Sequence, residues 1–203
     1  MCTRYTVTLL PEVEKMLGDL CLSNYTALLE ERTGKTLSVD HDVFPGSLAP
    51  VIARSRTGKQ RSFPMVFGYS GSGKKQKLVN ARVETASSKP SFRDSWISRR
   101  CCAVATSYYE WQKPDPETGE KPLLYSFYSG EEEVLYLCGL YRIINGIPEF
   151  VILTQDAPHE LSLIHDRMPL IMPEGLVERW IDPASDPNDL LQYAVKDLTV
   201  ELM

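Results

Sequence analysis

Histidine is scarce in this chain. His41, His159 and His165 are the only three, and none stands at metal-ligand spacing from another or from a cysteine. No bound metal and no other cofactor is therefore expected. The five cysteines, Cys2, Cys21, Cys101, Cys102 and Cys138, are odd in number and contain no C-x-x-C pair. That pattern excludes a zinc ribbon and a disulfide framework, and it points to a reducing, cytoplasmic setting. No apolar run approaches the roughly 18 residues that span a bilayer. The start, Met1-Cys2-Thr3-Arg4-Tyr5, lacks the basic and apolar stretches of a secretion signal, so no membrane partner is expected. Internal repeats, low-complexity tracts and an evident linker are also missing. What remains is a chain of 203 residues, 43% apolar and 24% charged, enough for one folded domain over 1–203 with a real core.

Charge is unevenly spread. The net charge is -5, yet twelve basic and two acidic residues lie between Arg54 and Arg100, a local balance of +10, which leaves -15 elsewhere. Such segregation suits a polyanion-binding face on an acidic protein, and it suits a solvated basic stretch equally well.

The pattern of elements is mixed. Residues 12–22 carry Val13, Met16, Leu17 and Leu20 at helical spacing. Residues 47–73, rich in Pro, Gly, Ser and basic side chains, read as loop. Residues 78–84 read as a strand, and Ser91-x-x-Asp94 as the start of a helix toward Arg100. Residues 101–111 read as one strand, and 115–121 as a polar turn. Asn145-Gly146 sits between apolar runs at 134–142 and 149–154, the signature of a hairpin, although Pro148 suggests a loop longer than two residues. Helices are expected over 173–181 and over 188–196, the second capped by Asn188. The fold class is mixed α+β, with a mostly antiparallel β-sheet or open barrel core and peripheral helices. Gly68-x-x-x-x-Gly73-Lys74 imitates a phosphate-binding loop, but Lys75 stands where a Ser or Thr must bind magnesium, so a basic loop is the better reading.

Cys2 carries the first chemical signal. Removal of Met1 would leave a free α-amine beside the thiol. An ordinary α-amine, with a pKa of roughly 7.7–8.0, is partly neutral at pH 7, and an ordinary thiol near about 8.5 supplies a little thiolate. This 1,2-aminothiol can condense with an aldehyde. The amine forms a Schiff base, and the sulfur closes a five-membered thiazolidine that lysine cannot make. Three further clusters stand at Asn80-Ala81-Arg82-Val83-Glu84-Thr85, at Tyr109-Glu110-Trp111 and at His165-Asp166-Arg167-Met168-Pro169. Each alone fits a surface strand, an aromatic core edge or a capped turn.

Together, and in this order, they resemble the SRAP family, the SOS-response-associated peptidase-like proteins that process abasic sites. Met1-Cys2, Asn80 to Thr85, Arg100-Cys101, Tyr109-Glu110-Trp111 and His165 to Pro169 carry the likeness, with Lys89-Pro90-Ser91-Phe92-Arg93 behind them. Thr3 replaces the usual glycine. Met65-Val66-Phe67-Gly68-Tyr69-Ser70 stands where a tryptophan-bearing stretch is usual, and Val104-Ala105-Thr106-Ser107-Tyr108 replaces V-P-A-D-G-F. The resemblance implies a monomer in the cytoplasm, on the nucleoid in a bacterium, whose partner is single-stranded DNA containing abasic sites. It further implies that mature Cys2 crosslinks to the ring-opened sugar, with Met1 removed by the protein itself or by another enzyme. The chemistry then assigns Glu110 to proton shuttling, His165 to opening of the sugar ring and Asn80 to orienting the amine. Arg4, Arg82 and Arg167 would hold phosphates, and Trp111 would stack on a base or split a strand. Two alternatives stay open. One is a thiol hydrolase with Cys2 as nucleophile and His165 as base. The other is a non-enzymatic single-strand binder.

Overall fold

The computed structural model describes residues 2–18, 20–71, 77–114, 119 and 121–203. In chain order the elements are β1 (Arg4–Val7), α1 (Pro11–Leu17), a 3-10 turn (Leu20–Leu22), α2 (Asn24–Thr33), β2 (His41–Val43), β3 (Leu48–Arg54), β4 (Gln60–Phe67) and β5 (Asn80–Arg82). There follow α3 (Val83–Ala86), α4 (Arg93–Ser98), β6 (Arg100–Ala105), β7 (Ser107–Trp111), β8 (Leu124–Tyr128), β9 (Leu135–Ile144) and β10 (Ile147–Asp156). The last are α5 (His159–Ser162), β11 (Arg167–Pro169), β12 (Ile171–Met172), α6 (Glu174–Ile181), a 3-10 segment (Pro187–Tyr193) and β13 (Thr199–Leu202).

Two sheets organise the chain. The larger runs β11-β10-β4-β3-β6-β9-β12, with β5 added on β10. Because β10 pairs with both β4 and β9, the strands β10-β4-β3-β6-β9 close into a five-stranded barrel. Closure removes the free edges that an open sheet of these strands would expose. The smaller sheet has the order β13-β8-β7-β1-β2 and is antiparallel throughout. One contiguous set of buried side chains extends from Cys2 to Leu198. The expectation of a mixed α+β fold with a mostly antiparallel core is met, and the barrel is closed rather than open.

The segment 47–73, read as loop, is mostly a β-hairpin of β3 and β4 turning at Ser55–Lys59. Prolines misled the sequence reading. Pro50 and Pro64 face each other across the ladder. The bond from the Phe67 N–H to the Ser47 carbonyl sets an alternation in which that rung needs no N–H from either residue. Residues 101–111 form two strands, not one. At Thr106 the chain leaves the barrel, and the Thr106 N–H donates to the Thr6 carbonyl at 2.8 Å as β7 joins the smaller sheet. The strand at 78–84 shrinks to β5, because Val83 already begins α3. The helix at 12–22 ends at Leu17. The 188–196 helix is a 3-10 segment, and its cap is Asp186, whose carboxylate accepts from the Asn188 N–H at 2.9 Å. Asn145 and Gly146 take φ of 50° and 74° and make a two-residue turn, with Pro148 paired opposite Ile143 beyond it. Residues 72–76 of the basic loop, and 115–118 and 120 of the polar turn, lie outside the described residues.

Three arginines of the basic run are buried or ion-paired. Arg100 is buried, and its guanidinium donates to the carbonyls of Trp180 (2.6 Å), Trp96 (2.7 Å), Ile97 (3.0 Å), Ser185 (2.9 Å) and Asp182. These are the C-terminal ends of α4 and α6 and the turn beyond α6, so one cation caps both helices from inside. Arg54 is paired with Asp182 at 2.5 Å and Arg93 with Asp94 at 3.4 Å. No described helix is long and apolar enough to cross a membrane.

Candidate functional site

Cys2 lies just ahead of β1 and is buried, and so are Cys101, Cys102 and Cys138. Burial pushes its thiol well above the ordinary thiol range, and the nearby Glu110 carboxylate adds to the rise. The thiol points toward β1, with its sulfur 3.9 Å from the Arg4 carbonyl. The Asn80 side-chain amide donates to the Cys2 carbonyl at 3.0 Å. β5 delivers Asn80 to this place by pairing in parallel with β10, Asn80 opposite Ile152. The Asn80 Oδ1 is buried and accepts no hydrogen bond among the described residues.

β7 supplies the carboxylate. Its burial alternates, so Tyr108 and Glu110 point inward while Tyr109 and Trp111 point outward. Tyr108 stacks on Phe127 with centroids 4.7 Å apart. Burial raises its phenol, and the charges of Cys2 and Glu110 push it further in the same direction. Cys2, Tyr108 and Glu110 are therefore three buried ionisable groups close enough to act on one another.

His165 comes from the loop between α5 and β11. Its Nδ1 accepts from the Arg167 N–H at 3.0 Å, which places the hydrogen of the neutral ring on Nε2. The Arg167 carbonyl lies 3.2 Å from the same nitrogen, so a charged ring also finds an acceptor there. Lys113 ties this loop to the continuation of β7. Its N–H donates to the Ile164 carbonyl at 2.8 Å, and its Nζ meets Asp166 at 2.6 Å. The two contacts bracket His165 from a point three residues beyond Glu110.

Two of the three candidate phosphate-binding arginines are ion-paired. Arg4 points out of the smaller sheet and forks onto Asp42, at 2.8 Å from Nε and 2.6 Å from Nη2. Arg167 is only 11% exposed and is committed to Glu84 at 2.7 Å and Asp156 at 2.5 Å, with the Thr154 carbonyl at 2.6 Å. Both arginines thus meet carboxylates within the fold. Arg82 is exposed at the end of β5, and Trp111 is 57% exposed. Tyr108, Lys113 and Asp42 were not anticipated. Tyr108 was accessible through strand alternation, since it shares a face with Glu110. Lys113 and Asp42 contact their partners only through tertiary folding. Among the described residues no group of three or more His, Cys, Asp or Glu is arranged to hold a metal.

Fold and site define an α+β protein built on a closed barrel, with a buried cysteine at position 2 beside an amide and a carboxylate. The model of the SOS response associated peptidase (SRAP) family matches residues 1–202, and the chain belongs to that family. It is 37% identical over 121 residues to the abasic site processing protein YoqW of Bacillus subtilis (strain 168), covering 57% of this chain and 53% of that protein. It is 27% identical over 169 residues to the abasic site processing protein YedK of Escherichia coli (strain K12), covering 78% of this chain and 74% of that protein. The chain thus spans about half the length of YoqW. Among solved structures, a phage-related protein from Bordetella bronchiseptica superposes with a TM-score of 0.73 at 19% identity, covering 100% of this chain and 94% of that one. A protein from Bacteroides thetaiotaomicron gives 0.69 at 20% identity, covering 100% and 92%.

Proposed function

We propose that this chain, acting as a single domain and as a monomer, processes abasic sites in DNA by crosslinking mature Cys2 to the ring-opened sugar in a single strand. The hydrogen bond between Asn80 and the Cys2 carbonyl, beside the buried Glu110, carries the reading. It fixes the backbone of the residue whose amine must react. The names of the relatives support abasic sites as the substrate class.

The steps balance as a condensation. His165 relays a proton between the ring oxygen and the anomeric hydroxyl as the sugar opens to its aldehyde. Loss of Met1, by hydrolysis of the Met1–Cys2 amide, frees the α-amine. That amine attacks C1′, and the Asn80 Oδ1, buried and unpaired, is an acceptor available to hold its N–H. The Glu110 carboxylate carries both N–H protons of the attacking amine to the oxygen on C1′, water leaves, and an imine remains. The thiol, kept protonated by burial, passes its proton through Glu110 to the imine nitrogen as its sulfur adds to C1′ and closes the thiazolidine. Aldehyde and aminothiol thereby yield thiazolidine and one water, and Glu110 ends as it began.

Incubating Met1-free protein with a single strand bearing one abasic site should give a band that survives a denaturing gel and high salt. Cys2→Ser should abolish that band, and Glu110→Gln should slow its appearance about 100-fold or more. A salt-resistant adduct from Cys2→Ser would overturn the thiazolidine.

A further inference from the structure

We infer that the outer edge of β4 is a docking site for a partner protein, which adds an extended segment there as one more strand, apolar with an acidic residue among its side chains. The inference does not draw on the crosslinking chemistry, and none of its residues belongs to the candidate site. The seam that closes the barrel is short. β4 meets β10 only at Val66 and Phe67. There the Gly68 N–H donates to the Phe150 carbonyl at 2.7 Å. One step back, the same register would need an N–H from Pro148 for the Pro64 carbonyl, and proline has none. The ladder stops at that point, and the first half of β4 runs on without a strand on its outer side.

Pairing with β3 shows which groups are left over. The Phe67 N–H donates to the Ser47 carbonyl and the Ser55 N–H to the Lys59 carbonyl, each at 2.8 Å, so the hydrogen-bonded rungs fall at the odd positions of β4. The N–H and C=O groups of Gln60 and Ser62, and the C=O of Pro64, therefore point away from β3. These residues border a groove of about 520 Å³ whose opposite wall is α1 and the 3-10 turn after it. The wall is fixed in place. The Ser62 hydroxyl donates to the Met16 carbonyl at 2.7 Å, and the Thr26 hydroxyl to the Leu20 carbonyl at 2.6 Å. Met16, Leu17, Leu20 and Phe63 give the groove apolar surface.

A row of alternating backbone donors and acceptors beside an apolar groove matches an extended polypeptide, which supplies the complementary row and sets alternate side chains into the groove. Charge decides which polypeptide. Lys15 and Arg61 line the groove, and no described acidic residue does. Lys15 also borders a neighbouring hollow that carries Glu12, Glu132, Glu133 and Glu174, so Arg61 is the cation that faces this groove alone. Arg61 is exposed, and a carboxylate on the incoming strand would complement it. A second copy of this chain fits poorly, because pairing edge to edge would crowd Lys59 and Arg61 of both copies.

The test titrates the isotope-labelled full chain with a short blocked peptide of alternating valine and aspartate, and with its valine–lysine counterpart, and follows the Gln60 and Ser62 amides by NMR. The valine–aspartate peptide should shift both resonances and slow their hydrogen exchange, with an affinity that falls as salt rises. The lysine peptide should bind about fivefold or more weakly. Arg61→Glu, a change at an exposed position, should reverse that preference. Amides unmoved at millimolar peptide would overturn the inference, and so would equal binding of the two peptides or an Arg61→Glu chain that keeps the wild-type preference. Slowed exchange of the two amides in a self-associating chain without peptide would make a second copy the occupant and overturn it as well. Displacement of the peptide from this edge by an undamaged single strand of DNA would assign the groove to nucleic acid instead.

Discussion

The side-chain amide of Asn80 donates to the backbone carbonyl of Cys2 at 3.0 Å and spans 78 positions of sequence to do so. It connects the barrel, through β5 and β10, to a residue that precedes the first strand. Geometry at Cys2 therefore depends on strands remote from it in the chain.

Asn80→Ala should slow the covalent step about two- to tenfold, the equivalent of one hydrogen bond of about 0.5–1.5 kcal/mol. Single-turnover crosslinking at saturating protein measures it. An unchanged rate would show that the bond does not orient the nucleophile.

Gly139→Ala should damage both fold and site. A Cβ at this position would lie 2.5 Å from the Val151 carbonyl oxygen and 3.2 Å from the Cys101 sulfur, and the first of these is backbone that cannot swing away. Overpacking of this kind costs about 1–3 kcal/mol. Gly139 shares a rung with Cys101 on one side and Ile152 on the other, and Ile152 is paired with Asn80. Chemical denaturation should show the loss of stability, and crosslinking by the folded protein should slow as β10 shifts Asn80. Wild-type values for both would mean that the barrel relaxes locally.

Glu149→Gln should flatten the acid limb of stability. Burial alone would raise the Glu149 carboxyl, but the Ser70 hydroxyl and N–H and the Arg142 guanidinium outweigh it and hold the group below the usual carboxylate range. The Ser70 N–H is at 3.0 Å, and the nearer Arg142 nitrogen is at 2.9 Å. A group depressed on folding stabilises above its unfolded value, about 4.3 for glutamate, and loses that contribution as pH falls through the folded value. Wild type should exceed the variant in stability at pH 6, and the gap should narrow below about pH 4. Urea unfolding at several pH values would reveal a gap that stays constant, and such a result would contradict the assignment.

Arg100→Met should destabilise the fold by about 3 kcal/mol or more, because the carbonyls at the ends of α4 and α6 lose their shared donor while staying buried. For a chain of this size that is a fall in Tm on the order of 10 °C. Calorimetry measures it. A change under about 1 kcal/mol would mean that water replaces the guanidinium.

Elements with local signals were legible in the sequence. Asn145-Gly146 announced its hairpin, and the helix expected over 173–181 is met in α6. Motif wording singled out Cys2, Asn80 and Glu110, and the structure places the last two beside the first. What escaped depended on long-range partners. Pro50 and Pro64 suppress a strand reading when taken one at a time, and only their mutual pairing makes them harmless. Arg4 and Arg167 look like free cations until folding brings Asp42, Glu84 and Asp156 to them. Arg100 belonged to a basic run by count and to the interior by position.

The corner at Thr106 also fixes a length. Its N–H is anchored on the Thr6 carbonyl, and its hydroxyl stands 3.1 Å from that of Thr8. The spacing from this anchor back to Cys2 thus acts as a ruler. One residue inserted between Tyr5 and Thr6 would turn the preceding side chains to the opposite side of the sheet, Tyr5 toward water and Arg4 toward the interior, and would displace Cys2 with them. There is no slack in the three residues, Thr3, Arg4 and Tyr5, that separate the thiol from its mooring on Thr6.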